Sequence, residues 1–113
     1  MLFLIENKLE KTVPTAYVIV DMQISNMEQY KQYMSEAPAS VKAAGGEYVI
    51  RGGRFESLEG EWEPGRLAML KFPSFEAAKA WYDSEMYRTA RTKRLGSTDF
   101  FNMILVEGVS EFI

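Results

Sequence analysis

The chain contains no cysteine and no histidine. It therefore has no disulfide, no thiol nucleophile, no imidazole base and no Ser-His-Asp triad within one chain. The usual ligands of zinc and the usual axial ligands of haem are also missing, so we expect no metal site and no cofactor. Proton transfer is left to aspartate, glutamate, tyrosine and lysine, whose pKa values must shift before they act near neutral pH.

A strong charge of one sign is lacking as well. The 113 residues carry a net charge of -3 with a pI near 5.0. Because nucleic-acid binding favours a basic face, this balance argues against a nucleic-acid partner. The mass of 12.9 kDa suits one domain. The absence of cysteine is consistent with a cytoplasmic location.

Long apolar runs are absent. Residues 1–5 are apolar, but Glu6 ends the run before it could span a bilayer or form a signal-peptide core, so we expect no membrane association. We interpret residues 1–14 as an extension, either a disordered tail or a segment packed on a neighbouring surface. Residues 15–113 are then a single domain, which should fold without the extension because the first predicted strand begins near Tyr17.

The first predicted strand, YVIVDMQI at residues 17–24, is rich in β-branched residues and alternates in polarity. Ser25 and Glu28 match a capping box and predict a helix start. The apolar positions of this helix step by three and four residues: Met27, Tyr30, Met34, Ala37, Val41 and Ala44. Pro38 predicts a kink or break near residues 36–38, and Gly45 predicts a left-handed cap.

The rest of the chain predicts three more strands and a second helix in two pieces. Residues 47–51 form a strand, residues 55–58 continue in extended form, and residues 67–72 form the third strand. Ser74 and Ser84 are predicted to cap the two helical pieces, and residues 99–107 form the last strand. The positions expected to face inward in the first piece are Phe75, Ala78, Trp81 and Tyr82, and the second piece carries Tyr87, Ala90 and Leu95.

The resulting order, βαββαβ, defines an α+β ferredoxin-like sandwich, in which a four-stranded antiparallel sheet carries its helices on one face. The other face is left open. We expect it to present residues such as Tyr17, Ile19, Leu67, Met69, Phe101 and Met103, although the alternation alone does not settle which parity faces out. Since a large apolar face is seldom left in water, we predict a homodimer with the open sheet faces together.

Several short motifs resemble one bacterial family. These are YVIVDMQI, APAS at residues 37–40, GGEYVIRGG, LEGEW, LAMLKFPSFEAAKAWYDSEMY and the closing ILVEG. Over residues 16–109 they are similar, in order, to the domain of unknown function numbered thirteen-thirty, in the dimeric α/β-barrel superfamily. The resemblance implies the same fold and dimer but no activity. The wider superfamily includes cofactor-free monooxygenases, lactone isomerases, haem-degrading enzymes and ligand domains of transcriptional regulators, with pockets commonly between sheet and helices.

The stretch RGGRFESLEG at residues 51–60 raises the possibility of a phosphate site. A phosphate-binding glycine loop leads into a helix with a defined spacing, and neither feature is present. Gly52 and Gly53 therefore indicate a bulge, a bend or a close backbone approach. Alternation places Arg51 on one face with Val49, where its guanidinium either pairs with a carboxylate or points into a pocket.

Four basic residues, Arg88, Arg91, Lys93 and Arg94, crowd one short helical segment. Such clusters are usually solvated faces. Arg94 lies seven residues after Tyr87 and so on the same helical face, which predicts that Arg94 turns inward while the other three stay wet. An inward arginine needs an anion. Its predicted partner is Asp21, Asp99 or a ligand.

Trp81, Tyr82 and Tyr87 form the densest aromatic group and are expected to be core residues. Their functional interpretation is a wall for a small organic ligand, to which Asn102 adds a polar contact. A tyrosine with a lowered pKa is the one proton acceptor available besides a carboxylate.

Two functions remain open. The first is a domain that binds a small anionic or aromatic molecule between sheet and helices, in a pocket lined by Arg51, Tyr87 and Arg94 beside Trp81, with cofactor-independent catalysis as an extension of that role. The second is a non-catalytic dimeric module whose polar residues only fix packing. A cavity with convergent polar groups favours the first, and a filled interior favours the second.

Overall fold

The computed structural model describes residues 13–109. The strands are β1 (Ala16–Ile24), β2 (Glu47–Arg51), β3 (Arg66–Phe72) and β4 (Thr98–Glu107). The helices are α1 (Met27–Ala43), α2 (Phe75–Asp83) and α3 (Glu85–Thr92). The predicted order and the two-piece second helix are confirmed. The extension predicted for residues 1–14 lies almost wholly outside the described residues.

Helix α1 begins one residue later than the capping box predicts. Asn26 is the N-cap, and its side chain accepts a hydrogen bond from the Gln29 amide at 3.1 Å. Ser25 instead donates its backbone N–H to the Ser97 carbonyl at 2.9 Å, which ties it to the segment before β4. The prediction for Ser25 was wrong, because the side chain of Asn26 provides the cap instead.

Pro38 lies inside α1, which continues past it. The predicted break is therefore wrong. A proline has no N–H, so the carbonyl four residues earlier, that of Met34, loses its helical partner. Arg51 Nη2 donates to this carbonyl at 3.5 Å. At the other end of α1, Gly45 has a φ of +79°, as the predicted left-handed cap requires.

The two shorter helices start as predicted. Ser74 Oγ accepts from the Ala77 amide at 3.0 Å, and Ser84 Oγ accepts from the Tyr87 amide at 3.1 Å. The predicted inward positions are buried at Ala78, Trp81, Tyr87 and Ala90.

Two positions predicted to face inward, Phe75 and Tyr82, are exposed, as is Leu95. Phe75, Tyr82 and Leu95 are 36%, 37% and 66% exposed. Tyr82 follows Trp81 directly and so points about 100° around the helix from it. Leu95 lies beyond the end of α3, where helical spacing no longer applies.

The sheet has the strand order β2-β3-β1-β4 with antiparallel neighbours, as expected for a ferredoxin-like fold. One face packs on the helices through Val18, Val20, Met22, Ala68, Leu70 and Phe72. The opposite face, here called the open face, has Ile19 at its centre, between Met69 of β3 and Ile104 of β4.

The predicted positions of Phe101 and Met103 are wrong. These residues pair with Met22 and Val20 and therefore point toward the helices, whereas Ile104 and Val106 lie on the open face. Strand β4 reads TDFFNMILVE, with apolar residues at both parities. Only its register with β1 decides which set is covered.

A bulge between Tyr48 and Ile50 changes the face on which Arg51 lies. Arg51 pairs with Ala68 and Tyr48 with Leu70, both on the helix side, so the expected shared face of Arg51 and Val49 is wrong. Residues 52–65, here called the arm, then join β2 to β3 without forming a helix or strand, so the extended stretch predicted at 55–58 is not part of the sheet.

Gly52 provides the close approach that its sequence context predicts. It has a φ of +72°, and a Cβ added there would lie 2.5 Å from Arg66 Cζ. Its amide donates to the Leu67 carbonyl at 2.8 Å, which extends the β2–β3 ladder by one bond. The interpretation of the glycine pair as a site of close approach is confirmed at Gly52.

Within residues 13–109, no helix is long and apolar enough to cross a membrane.

The two adjacent glycines allow a matched stability test. Gly52→Ala should lower the free energy of unfolding by about 1–2 kcal/mol, because a left-handed φ is unfavourable for alanine and Arg66 must also move. Gly53→Ala should cause no loss, since nothing lies within 4 Å of a Cβ built there. Urea denaturation of both variants measures the difference, and equal stabilities would contradict this role for Gly52.

Candidate functional site

Two recesses lie near the predicted site residues. The first, here called the inner cavity, is a narrow, partly open space of about 40 Å³ between the sheet and the helices, bordered by Arg51, Arg66, Tyr30, Tyr48 and Trp81 among others. The second, here called the groove, is an open space of about 390 Å³ between the end of α3 and β4, bordered by Tyr82, Arg91, Arg94, Phe101 and Met103 among others. A smaller recess of about 170 Å³ adjoins the groove and shares Tyr82 and Met103 with it.

The inner cavity is too small for an organic ligand. One water needs about 10–15 Å³ on this measure, so a space of 40 Å³ holds about three waters and no aromatic ring. Its two arginines have structural contacts: Arg51 lies over the Tyr48 ring at 4.5 Å, and the Arg66 guanidinium packs against Gly52. Ligand binding here would require side chains to move.

Arg94 turns inward, as its place on the face of Tyr87 predicts. Its Cζ lies 3.6 Å from the centroid of the Phe101 ring and 5.3 Å from that of Tyr33. Among the described residues, its Nε is buried without a hydrogen-bond partner. A buried guanidinium donor left in this state costs free energy that an anion would recover.

The predicted ion pair of Arg94 is wrong for both candidate carboxylates. In residues 13–109, none of the ion pairs within 4.0 Å involves Arg94. Asp21 points to the open face, where its carboxylate accepts from Trp62 Nε1 at 3.0 Å and from the Gly65 amide at 2.9 Å. Asp99 is exposed at the start of β4. The parity of β1 thus separates Asp21 from Arg94.

Arg91 and Tyr82 form one wall of the groove. Arg91 Cζ lies 4.2 Å from the Tyr82 ring centroid, a cation–π distance. The other basic residues of the cluster differ: Arg88 is exposed, and Lys93 lies 4.0 Å from Glu36. Among residues 13–109 no carboxylate lines the groove, and its two arginines give this part of the surface a positive potential.

Trp81 and Tyr87 are core residues, as expected. Their ring centroids are 4.1 Å apart, and Trp81 Nε1 donates to Ser40 Oγ at 3.0 Å. The hydroxyl of Tyr87 lies 2.8 Å from that of Tyr33. Tyr87 is fully buried and borders neither recess.

The predicted site residues therefore do not share one pocket. Arg51 and Trp81 border the inner cavity, whereas Arg94 and Tyr82 border the groove. Asp21 pairs with Asn102 on the open face. Phe101 and Met103 border both recesses and lie between them.

The buried tyrosines hold their protons tightly. Burial raises the pKa of Tyr30 to about 12. Burial and the adjacent Tyr87 hydroxyl hold the pKa of Tyr33 far above its usual range, and burial also raises that of Tyr48. The lowered pKa that a tyrosine base requires is thus contradicted for these three residues, which stay protonated near neutral pH.

The sequence interpretation missed Tyr33, Arg66 and Phe101. Tyr33 is three residues after Tyr30 and four before Ala37, so the helical period contained the signal for it. Phe101 depended on the register of β4. Arg66 reaches the inner cavity because Gly52 leaves room for it, and no local pattern predicts that.

Within the described part of the chain, no group of three or more aspartate or glutamate side chains is arranged to hold a metal ion.

Comparisons with known proteins agree with this fold. A protein of unknown function from Rhodopseudomonas palustris is 14% identical, with 97% of this chain and 95% of that chain covered and a TM-score of 0.71. A proposed antibiotic biosynthesis monooxygenase from Caulobacter crescentus is 12% identical, with coverages of 93% and 99% and a TM-score of 0.59. A dimeric ferredoxin-like protein of unknown function from Thermobifida fusca is 12% identical, with coverages of 85% and 92% and a TM-score of 0.56.

At these identities the likeness establishes the fold alone. No functionally curated protein is similar enough in sequence to match the chain. The sequence profile of one family, described as Domain of unknown function (DUF1330), matches residues 15–109, which is most of the chain. The resemblance seen in the short motifs is thereby confirmed, and the chain belongs to the DUF1330 family.

Proposed function

We propose that the protein binds a small organic anion in the groove, with the carboxylate of the ligand on Arg94 and its apolar part against Phe101 and Met103. One observation carries this proposal: Arg94 is turned into the protein, its Nε is buried, and none of the described residues supplies an acceptor. A carboxylate can accept hydrogen bonds from two N–H groups of one guanidinium, so it suits a side chain with an unpaired N–H donor.

The size and charge of the groove support an organic anion. Its volume of about 390 Å³ lies in the range of about 300–1,000 Å³ typical of small-molecule sites. Arg91 adds a second positive charge, and Tyr82 and Phe101 offer ring surface to an aromatic or aliphatic group. A ring with one carboxylate matches both features.

Binding without catalysis is the form of this proposal that the side chains favour. A proton-abstracting enzyme needs a base beside the ligand, but within the described part of the chain no carboxylate borders the groove, and the buried Tyr30 and Tyr33 have raised pKa values. Cofactor-independent catalysis remains the extension suggested by the likeness to the Caulobacter crescentus protein, and that argument rests on fold analogy.

A second proposal concerns self-association. The open face presents Ile19, Met69 and Ile104 side by side, with Ile104 58% exposed. An apolar face of this kind favours a homodimer with the two sheets together. The Thermobifida fusca protein of the same fold is described as dimeric, which supports this assembly. A dimeric module without a ligand is the alternative to anion binding.

The anion proposal predicts a saturable heat of binding with at least one of benzoate, phenylacetate and hexanoate in isothermal titration calorimetry. Benzyl alcohol, which lacks the carboxylate, should bind much more weakly than benzoate. Arg94→Ala should weaken the binding about ten- to a hundredfold, as expected for loss of a charged hydrogen bond of about 1.5–3 kcal/mol.

Lys93→Ala provides the matched control, because it removes the same charge from the neighbouring, solvent-exposed position. It should change the affinity by less than about threefold. If none of the three acids binds the folded protein, the anion proposal is wrong and the dimeric module is the better interpretation.

The homodimer proposal predicts a mass of twice 12.9 kDa by light scattering at micromolar concentration. Ile104→Asp should yield a folded monomer, because a carboxylate at the centre of the joined faces would be desolvated. Met86→Asp, at a position 49% exposed on the helix side, should remain dimeric. A parent protein that stays monomeric would refute the assembly.

The raised tyrosine pKa values predict that stability falls at high pH. Between pH 10 and 12 an unfolded tyrosine, with a pKa of about 10, loses its proton while Tyr30 keeps it. The unfolded state then binds fewer protons, so the free energy of unfolding decreases as the pH rises, by up to about 1.4 kcal/mol per pH unit for each such tyrosine. Urea titrations should show a shallower decrease for Tyr30→Phe. An unchanged slope would contradict the contribution of Tyr30.

A further inference from the structure

The arm, residues 52–65, has no role in the groove and exposes large apolar side chains. Fourteen residues without a helix or strand form an unusually long connection for a small domain, and such connections are usually functional. Phe55, Leu58 and Trp62 in the arm are 47%, 86% and 60% exposed. This much exposed apolar surface on one short segment indicates a contact with another surface.

The returning limb of the arm is held at the open face. Asp21, on the open face of β1, accepts one hydrogen bond from the Trp62 indole and another from the Gly65 amide. Ser57 Oγ donates to the Trp62 carbonyl at 3.0 Å, which links the two limbs. The arm therefore leaves the sheet on the side where a second sheet would pack, and it is already ordered there.

The charges of the arm oppose those of residues 88–94, at the end of α3 and just beyond it. The arm carries four glutamates, at positions 56, 59, 61 and 63, and a single basic residue, Arg54. Residues 88–94 carry Arg88, Arg91, Lys93 and Arg94 and no acidic residue. Arg88 is exposed on α3, so its charge is available to another chain. One copy of the protein thus presents both halves of a complementary pair.

We propose that the arm of one protomer packs against a second copy of this chain, with its apolar side chains extending the contact between the open faces and its glutamates facing the basic surface of α3 around Arg88. This inference rests on the homodimer proposed above. Because the contact is reciprocal in a two-fold dimer, both arms are used at once and the assembly closes.

The arm is long enough for this contact. Seven residues in each limb, at about 3.3 Å per residue, reach about 23 Å. Packed sheets lie about 10 Å apart, and the helix layer lies about another 10 Å beyond the sheet. Because Ser57 and Trp62 are tied at the open face, the arm of one copy has the length to reach α3 of the second copy only when the Trp62–Asp21 hydrogen bond is released, and it would then border the groove that contains Arg94.

The test compares dimer dissociation constants by sedimentation velocity over a concentration series. Glu59→Lys with Glu61→Lys should raise the dissociation constant at least tenfold relative to the parent. Adding Arg88→Glu to this double variant should restore at least threefold of the loss, because the two changes exchange the signs of the pair. Glu28→Lys with Glu76→Lys changes the net charge equally but lies on the helix layer, and it should remain within threefold of the parent.

A second variant addresses the apolar half of the contact. Leu58→Ser removes a side chain that is 86% exposed in the protomer, so thermal unfolding of the monomer should be unaffected while the dimer dissociates at least tenfold more readily. A parent dimer whose dissociation constant is unchanged by the Leu58 and glutamate variants would overturn the role of the arm and leave the sheet-to-sheet dimer standing. A parent that is monomeric would overturn both.

Discussion

The contact between Trp81 and Tyr87 is the interaction on which the rest of the structure depends. Their rings lie 4.1 Å apart at the junction of α2 and α3, and Trp81 also packs on Phe72 of β3. Hydrogen bonds from this pair reach α1 twice, through Ser40 and through Tyr33. One buried cluster thus joins all three helices to the sheet. The side chains of this cluster are uncharged, and their polar atoms are hydrogen-bonded within it.

The groove gains its character from this neutral core. Tyr82, the residue after Trp81, is turned outward and carries Arg91 on its ring, while Arg94 lies on Phe101 at the rim of the sheet. The carboxylates that could have neutralised these arginines point elsewhere: Asp21 faces the other side of the sheet, and Glu36 lies beside Lys93. The described residues thus form a positive groove to which none of them contributes a carboxylate, and such a groove favours a ligand that supplies the negative charge.

The two faces of the sheet have different roles. The helix side holds the core and the groove, and the open face holds Asp21, which anchors the arm. Arg51, a candidate ligand-binding residue from the sequence, also has a structural contact with α1. The Arg51 side chain, on β2, donates to the Met34 carbonyl, which Pro38 leaves without a helical partner. This bond replaces the one that the proline removes from α1.

The sequence by itself determined the order of the elements, the caps at Ser74 and Ser84, the left-handed Gly45, the inward side of α3 and the family, because these depend on periods and residue types that act within a few neighbouring positions. Only the tertiary structure decided which face of β4 is covered, where Arg51 points and what Asp21 binds. Each of these depends on strand register or on a bulge, and a shift of one residue moves a side chain to the other face of the sheet. The separation of Arg51 from Arg94 follows from strand order instead, since β2 and β4, the strand that Arg94 precedes, lie at opposite edges of a sheet whose order no local pattern records.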